Sequence, residues 1–257
     1  MIDPPAEGVW NMAVDEAMLD AAAETDMPSL RFYRWQKPTL SLGYFQQYAD
    51  RNKHPSSLDA TVVRRLSGGG ALLHDQEITY CLILPRSHPL ARNTQQLYRS
   101  VHEAFVRLLN RILPIEKSPW QLAKCEKLSV AKPESEPFLC FQRRSPSDLL
   151  LRRSDQNNVS LALDYKILGS AQRRRRGAVL QHGSLLLGQS TVAPQLLGLN
   201  EIFAIKLDAQ EILKKLPDEF GLQLGLDLQE NSTAAWHQAA KELVDRRYAS
   251  SRWTLRR

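Results

Sequence analysis

Apolar side chains recur at Leu97, Val101, Phe105, Leu108 and Ile112. Steps of three and four put them on one face of a helix, predicted over 94–113 with a stop before Pro114. A second helix is predicted from "NMAVDEAMLDAAAE". Asn11 can cap it, Asp15 and Glu16 then fall in the first turn where the helix dipole favours acids, and Met12, Met18, Leu19 and Ala22 gather near one face. "SLRFYRW" and "TLSLGYF" read as strands separated by a "QKP" turn. "ATVVRRL" reads as a strand ended by "SGGG", and "EITYCLILP" as a longer one stopped by proline. "SDLLLRR", "VSLALDYKILGSAQ" and "AVLQHGSLLLG" follow as strands of a meander, with "DAQEILKKL" and "TAAWHQAAKELVDRRY" as two closing helices. Residues 115–137, rich in Lys, Glu and Pro, read as a long loop.

Strands and helices do not alternate as they do in a doubly wound parallel sheet. Hairpins and meanders with segregated helices predict the α+β class, a mostly antiparallel or mixed sheet flanked by helices. No repeat or linker divides the chain, so residues 1–257 are expected to form a single domain, for which 43% hydrophobic content is ample core.

A formal charge of +6 favours an acidic partner. Much of the excess sits in runs, Arg143 and Arg144, Arg152 and Arg153, Arg173 to Arg176, Arg256 and Arg257, whereas a nucleic-acid binder more often spreads its cations along one face. No nucleic acid is expected. Cys81, Cys125 and Cys140 are odd in number and lack CxxC or Cys/His spacing, which argues against a disulfide framework and a metal site. "MIDPPAEGVW" lacks the basic start and apolar stretch of a signal peptide, and no run approaches a membrane span. A cytoplasmic protein with no membrane partner is the expectation.

Three stretches could carry chemistry. In "VVRRLSGGGALLHDQEITY", Gly68, Gly69 and Gly70 follow a strand, where consecutive amides can form an anion nest, and Arg65 and Ser67 could add hydrogen bonds. The same residues fit a flexible turn beside solvated arginines. Neither a dinucleotide fingerprint nor a P-loop is present. In "FLCFQRRSPSDLLL", Cys140 between two large hydrophobes reads as an inert buried thiol, or as a reactive one if it reaches a cleft near Arg143 and Arg144. In "KILGSAQRRRRGAVLQHGSLLL", Lys166 on a strand points either to solvent or into a cleft where it could orient a reacting carbonyl. His182 there is as consistent with a structural histidine as with a catalytic one.

Taken in order, "NMAVDEAML", "SLGYFQ", "RRLSGGGALLHDQEITY", "LCFQRRSPSDLLL" and "KILGSAQRRRRGAVLQHGSLLL" resemble the lipoate–protein ligase/octanoyltransferase family, whose catalytic domain shares its architecture with biotin–protein ligases. The resemblance covers most of the first 190 residues. It implies one of two acyl-transfer chemistries. Cysteine-dependent octanoyltransferases take an octanoyl chain from acyl carrier protein, hold it as a thioester, and pass it to a lysine of a lipoyl-bearing protein such as a lipoyl domain or the glycine cleavage H protein, with no cofactor. Ligases instead activate free lipoate with ATP and magnesium, and usually carry an accessory C-terminal domain for which the residues after Leu187 offer thin material. A homologue that binds acyl groups or partners without catalysis is a third reading. The cysteine in "LCF" matches the first chemistry.

On that resemblance Cys140 is the acyl-accepting nucleophile and Lys166 orients the thioester carbonyl. Arg65, Ser67, Gly68, Gly69 and Gly70 hold the acyl head, with His74, Gly169, Ser170, Ala171, His182 and Gly183 around it, and Leu42 and Leu72 line the chain. Arg173, Arg174, Arg175 and Arg176, near a hairpin tip, are expected to steer an acidic carrier. The family usually has a glycine-containing turn shortly before the lysine. Here the hairpin "RRSDQNNVSLALDYK" is longer, and Asp164 and Tyr165 stand there instead.

Overall fold

A computed structural model describes residues 1–113, 115, 118–124, 137–155 and 158–256, with 153–155 and 158–163 described by backbone alone. Cys125 and most of the predicted 115–137 loop lie outside the described residues. Strands β1 (Ser29–Tyr33), β2 (Thr39–Leu42), β3 (Thr61–Arg64), β4 (Leu72–His74), β5 (Glu77–Leu84), β6 (Trp120–Leu122), β7 (Leu149–Asp155), β8 (Asn158–Arg175) and β9 (Ala178–Leu186) form two sheets. The larger runs β1-β5-β9-β8-β7-β6, every neighbour antiparallel. The smaller runs β3-β2-β4, with β3 parallel and β4 antiparallel to β2. Helices α1 (Gly8–Thr25), α2 (Pro89–Arg92), α3 (Thr94–Ile112), α4 (Leu199–Phe203), α5 (Ala209–Leu224), α6 (His237–Leu243) and α7 (Ser251–Thr254) flank them. This is the predicted α+β arrangement, with a mixed second sheet.

The apolar patterns explain the layers. Strand β5 is buried along its whole length. Its Ile78, Tyr80 and Leu82 join the α3 stripe and Ile212, Leu216 and Phe220 of α5 in one core, while Cys81 and Ile83 face α1 and α6 in another. A strand covered on both faces loses the polar alternation of a half-exposed one, which is why "EITYCLIL" reads as a near-continuous apolar run. Phe105 and Phe220 meet edge to face, centroids 5.5 Å apart, and each such buried ring contributes about 1.5–3 kcal/mol. Among the described residues no helix is long and apolar enough to cross a membrane.

Several local expectations differ from the structure. Helix α1 starts at Gly8 with Glu7 before it, so Asn11 is no cap and Asp15 and Glu16 are not in the first turn. The Asn11 amide instead donates to the carbonyls of Ala6 and Arg34, because a buried amide must find partners and the incoming chain offers them. β1 and β2 do not form a hairpin, since β1 pairs with β5 and β2 belongs to the other sheet. The last predicted helix breaks into a 3-10 turn (Thr233–Trp236), α6 and a π turn (Val244–Tyr248). That wider turn lets Tyr248 donate to Glu16 at 2.8 Å and Arg247 pair with it. The chain end then closes on the glycine-rich region: Trp253 donates to the Arg64 carbonyl at 2.9 Å, and Arg64 to the Thr254 carbonyl at 2.8 Å.

Candidate active site

Cys140 opens a single 3-10 turn, Cys140–Gln142, after a bridge between Ala71 and Leu139. Its amide donates to the Ala71 carbonyl at 2.7 Å, which anchors the cysteine one residue beyond the glycine loop. The thiol is half-buried, whereas Cys81 is fully buried and burial pushes its thiol well above its ordinary pKa. Lys166 points inward from β8 and is buried. Its Nζ lies 3.7 Å from Cys140 Sγ, 3.3 Å from the Cys140 carbonyl and 2.8 Å from Asp148 Oδ2. Gly169 makes this possible, because a Cβ there would stand 2.5 Å from Lys166 Cε. Of the two orientations open to a strand lysine, the buried one is adopted, and the substitution of Asp164 and Tyr165 before it leaves that aim intact.

The glycine loop is braced from below. Arg65, 1% exposed, donates from one terminal nitrogen to the Ser41 carbonyl and hydroxyl, and from the other to the carbonyls of Gly68 and Gly70, both at 2.7 Å. Burial pushes its pKa down to about 10, opposed by attraction to Cys140. Two of these guanidinium bonds go to the loop's own carbonyls and two to Ser41, so Arg65 ties the loop to β2, and it also lines the cavity beside the loop. Gly69 has φ +91°, a conformation that needs glycine. Gly43 allows the close approach of β2 to the loop, since a Cβ there would lie 2.1 Å from the Gly69 carbonyl oxygen.

Ser67, His182 and Asp15 form a buried chain. The Ser67 hydroxyl lies 2.6 Å from His182 Nε2, and His182 Nδ1 lies 3.2 Å from Asp15 Oδ2. Burial holds His182 below its ordinary pKa despite Asp15. Burial would raise Asp15, but the His182 hydrogen bond and Arg31 outweigh it, and its pKa sits low. A neutral imidazole therefore donates from Nδ1 to the carboxylate and accepts the Ser67 proton at Nε2. A parallel chain runs Ser41, His74, Glu77, each step 2.7 Å. Trp35 stacks on His74 at 3.8 Å. Between the two chains lies a narrow cavity of about 20 Å³, lined by Met12, Trp35, Leu72, Ala171 and Gly183 besides the histidines. It has room for about one water, so an acyl chain lodged there would push its lining outward. Leu42 is packed in the small-sheet core instead.

The remaining predicted residues divide. Ser170 is engaged inside the protein by Tyr80 at 2.6 Å and His102 at 2.7 Å. A Cβ on Gly183 would lie 2.5 Å from the Gly169 carbonyl oxygen, so the two strands touch there. Of the four arginines, Arg175 is tied to Glu16 at 2.7 Å and Asp20 at 3.0 Å, and Arg173 stacks over Tyr44. Arg174 and Arg176 are exposed at the β8–β9 tip. Sequence reasoning missed Asp148, Tyr98 and Asp15, each drawn in from another element, and Glu77, only three residues beyond its partner His74. Only the carboxylate in "SPSDLLL", next to the apolar run of β7, could have pointed to Asp148.

The description "Lipoyl protein ligase A/B catalytic domain" matches residues 7–198. An octanoyltransferase LipM of Kyrpidia tusciae is 29% identical over 281 residues, covering 96% of this chain and 94% of the relative. One from Geobacillus kaustophilus is 30% identical over 284 residues, covering 99% and 95%. Among solved structures, a bi-partite lipoate protein ligase studied with its E2 lipoyl domain from Thermoplasma acidophilum shares the fold, with a TM-score of 0.70 and 20% identity over 99% of this chain and 94% of that one. The glycine loop, Cys140 and Lys166 all fall inside the matched stretch, and the chain belongs to the lipoyl protein ligase A/B catalytic domain family.

Proposed function

We propose that this octanoyltransferase of lipoate biosynthesis carries its acyl group as a thioester on Cys140. The observation that carries the reading is the half-buried thiol beside the glycine loop with the Lys166 ammonium 3.7 Å from its sulfur. In the first half-reaction the sulfur attacks the donor thioester carbonyl. The new Sγ–C bond forms, the donor C–S bond breaks, and the thiol proton of Cys140 ends on the departing sulfur. Exchange of one thioester for another is nearly isoenergetic, so the step is readily reversible. In the second, an acceptor lysine amine attacks the Cys140 thioester, the C–N bond forms, Sγ leaves, and the amine proton returns to the sulfur. Lys166 stands where it can favour charge on the Cys140 sulfur, the attacking group in the first step and the leaving group in the second. In this reading amides of the glycine loop meet the developing oxyanion, each such donor being worth about 3 kcal/mol in comparable sites.

The donor in this reading is octanoyl-acyl carrier protein and the acceptor a lipoyl-domain protein or glycine cleavage H protein, with no cofactor. Family membership and the LipM relatives support the acyl chemistry and the lipoyl-bearing acceptor. The test is intact mass after mixing with octanoyl-carrier protein. One octanoyl unit on Cys140, lost in Cys140→Ser together with transfer to a lipoyl domain, is the expected result. Transfer that survives Cys140→Ser, or robust modification from free octanoate and ATP without carrier protein, would refute it.

A further inference from the structure

Lys166 has three N–H donors on a flexible stem, and something must hold them in one direction. The three acceptors around it are Asp148 Oδ2 at 2.8 Å, the Cys140 carbonyl at 3.3 Å and Cys140 Sγ at 3.7 Å. Asp148 is fully buried and is itself fixed from two further sides. Its Oδ2 also accepts the Ser145 amide at 2.6 Å, and its Oδ1 accepts the Tyr98 hydroxyl at 2.6 Å. The Tyr98 oxygen in turn accepts the Ser170 amide at 2.9 Å, four residues beyond Lys166 on the same strand. The carboxylate is thereby tied to α3, to the turn before β7 and to the strand that carries the lysine.

Resting on the thioester reading above, we propose that Asp148 is the positioning residue of this site. It fixes the Lys166 ammonium against Cys140 through both half-reactions, and Tyr98 fixes Asp148. A purely structural role fits the geometry less well. Burying an ammonium and a carboxylate seldom stabilises a fold relative to apolar groups of the same shape, and both side chains are almost wholly shielded here, at 1% and 0% exposure. What the pair does secure is direction: with one N–H held by the carboxylate, the others are left for the cysteine. Orientation of this kind moves the ordering of a long side chain from the reaction into folding.

The experiment is a double-mutant cycle between Asp148→Asn and Lys166→Met. It is read as the rate of Cys140 acylation from a small octanoyl thioester by intact mass, with peptide mapping of the adduct. Asp148→Asn is expected to slow acylation about 100-fold and leave KM unchanged. In the Lys166→Met background the same change is expected to cost nothing further, because the group it positions is gone. Tyr98→Phe keeps the carboxylate and gives a milder arm, a loss of about tenfold that also vanishes in that background. Equal losses with and without Lys166 would overturn the positioning role alone. An adduct elsewhere than Cys140 in the unsubstituted protein would overturn the thioester reading and this role with it.

Discussion

Gly169→Ala tests whether the placement of Lys166 matters apart from its presence. Gly169 lies within β8, paired with Ser184 in a regular strand, so the backbone accepts alanine. The added methyl would stand 2.5 Å from Lys166 Cε and 2.9 Å from Nζ, and 3.7 Å from Asp148 Oδ1. Ordinary carbon contacts fall at about 3.5–4.0 Å, so the lysine end must retreat by about 1 Å. The atoms that yield are the tip of a flexible side chain, and no backbone is struck. Overpacking therefore costs near the lower end of its usual range, about 1 kcal/mol, and the reduced freedom of the unfolded chain returns about 0.4–1 kcal/mol. Thermal unfolding is expected to move by no more than about 2 °C. Chemistry is far less tolerant: a displacement of that size costs about 100-fold, or about 2.7 kcal/mol of barrier. Rapid-quench intact mass gives the acylation rate and calorimetry gives the stability. A variant that acylates Cys140 at close to the unsubstituted rate would refute the argument, because a displaced ammonium would then be as good as a placed one.

Acid should destabilise the fold in a window set by buried histidines. Burial, helped by repulsion from Lys166, pushes His102 down to about 3. An unfolded histidine protonates near pH 6.5, so below that the unfolded chain binds protons the folded one refuses, and stability falls by about 1.4 kcal/mol per pH unit. His182, also held low by burial, adds to the same slope. The depressed Asp15 contributes stability that is lost only below about pH 4. Urea midpoints from pH 7 to 5 should drop, less so in His102→Gln, and a flat profile would contradict the assignment. At the β8–β9 tip, Arg175→Ala should cost about 1.5 kcal/mol by removing one of the three groups that hold the buried Glu16. Arg174→Ala with Arg176→Ala should leave stability alone and raise KM for an acidic acyl donor, a difference that shrinks in salt. Equal KM values at low salt would remove the tip from donor docking.

Much of the fold was legible because its signals are local. The α3 stripe at Leu97, Val101, Phe105 and Leu108 follows from helical spacing, and all four are buried where that spacing puts them. Strand β5 announced itself as an apolar run because both its faces are covered. The split of β1 and β2 between two sheets was not legible, since period-two alternation marks a strand without naming its neighbour. Asn11 looked like a cap for a similar reason. Its real partners, the carbonyls of Ala6 and Arg34, are acceptors that only the folded chain brings near.

By itself the sequence determined most of the element types, though not β6 within the expected 115–137 loop, together with the family resemblance and the residues that carry it: the glycine loop, Cys140 and Lys166. These are properties of short segments, and side-chain periodicity and motif spacing record them directly. Only the tertiary structure decided that Lys166 turns inward, that Arg65 grips the loop's carbonyls, and that Asp148 and Tyr98 complete the lysine's surroundings. Tyr98 and Asp148 stand 50 residues apart and Cys140 and Lys166 26 apart, and nothing in the local pattern of either ties it to the other. Burial makes those pairings obligatory, because charged and polar groups taken from water must meet one another, and which groups meet is fixed only when the strands and helices pack.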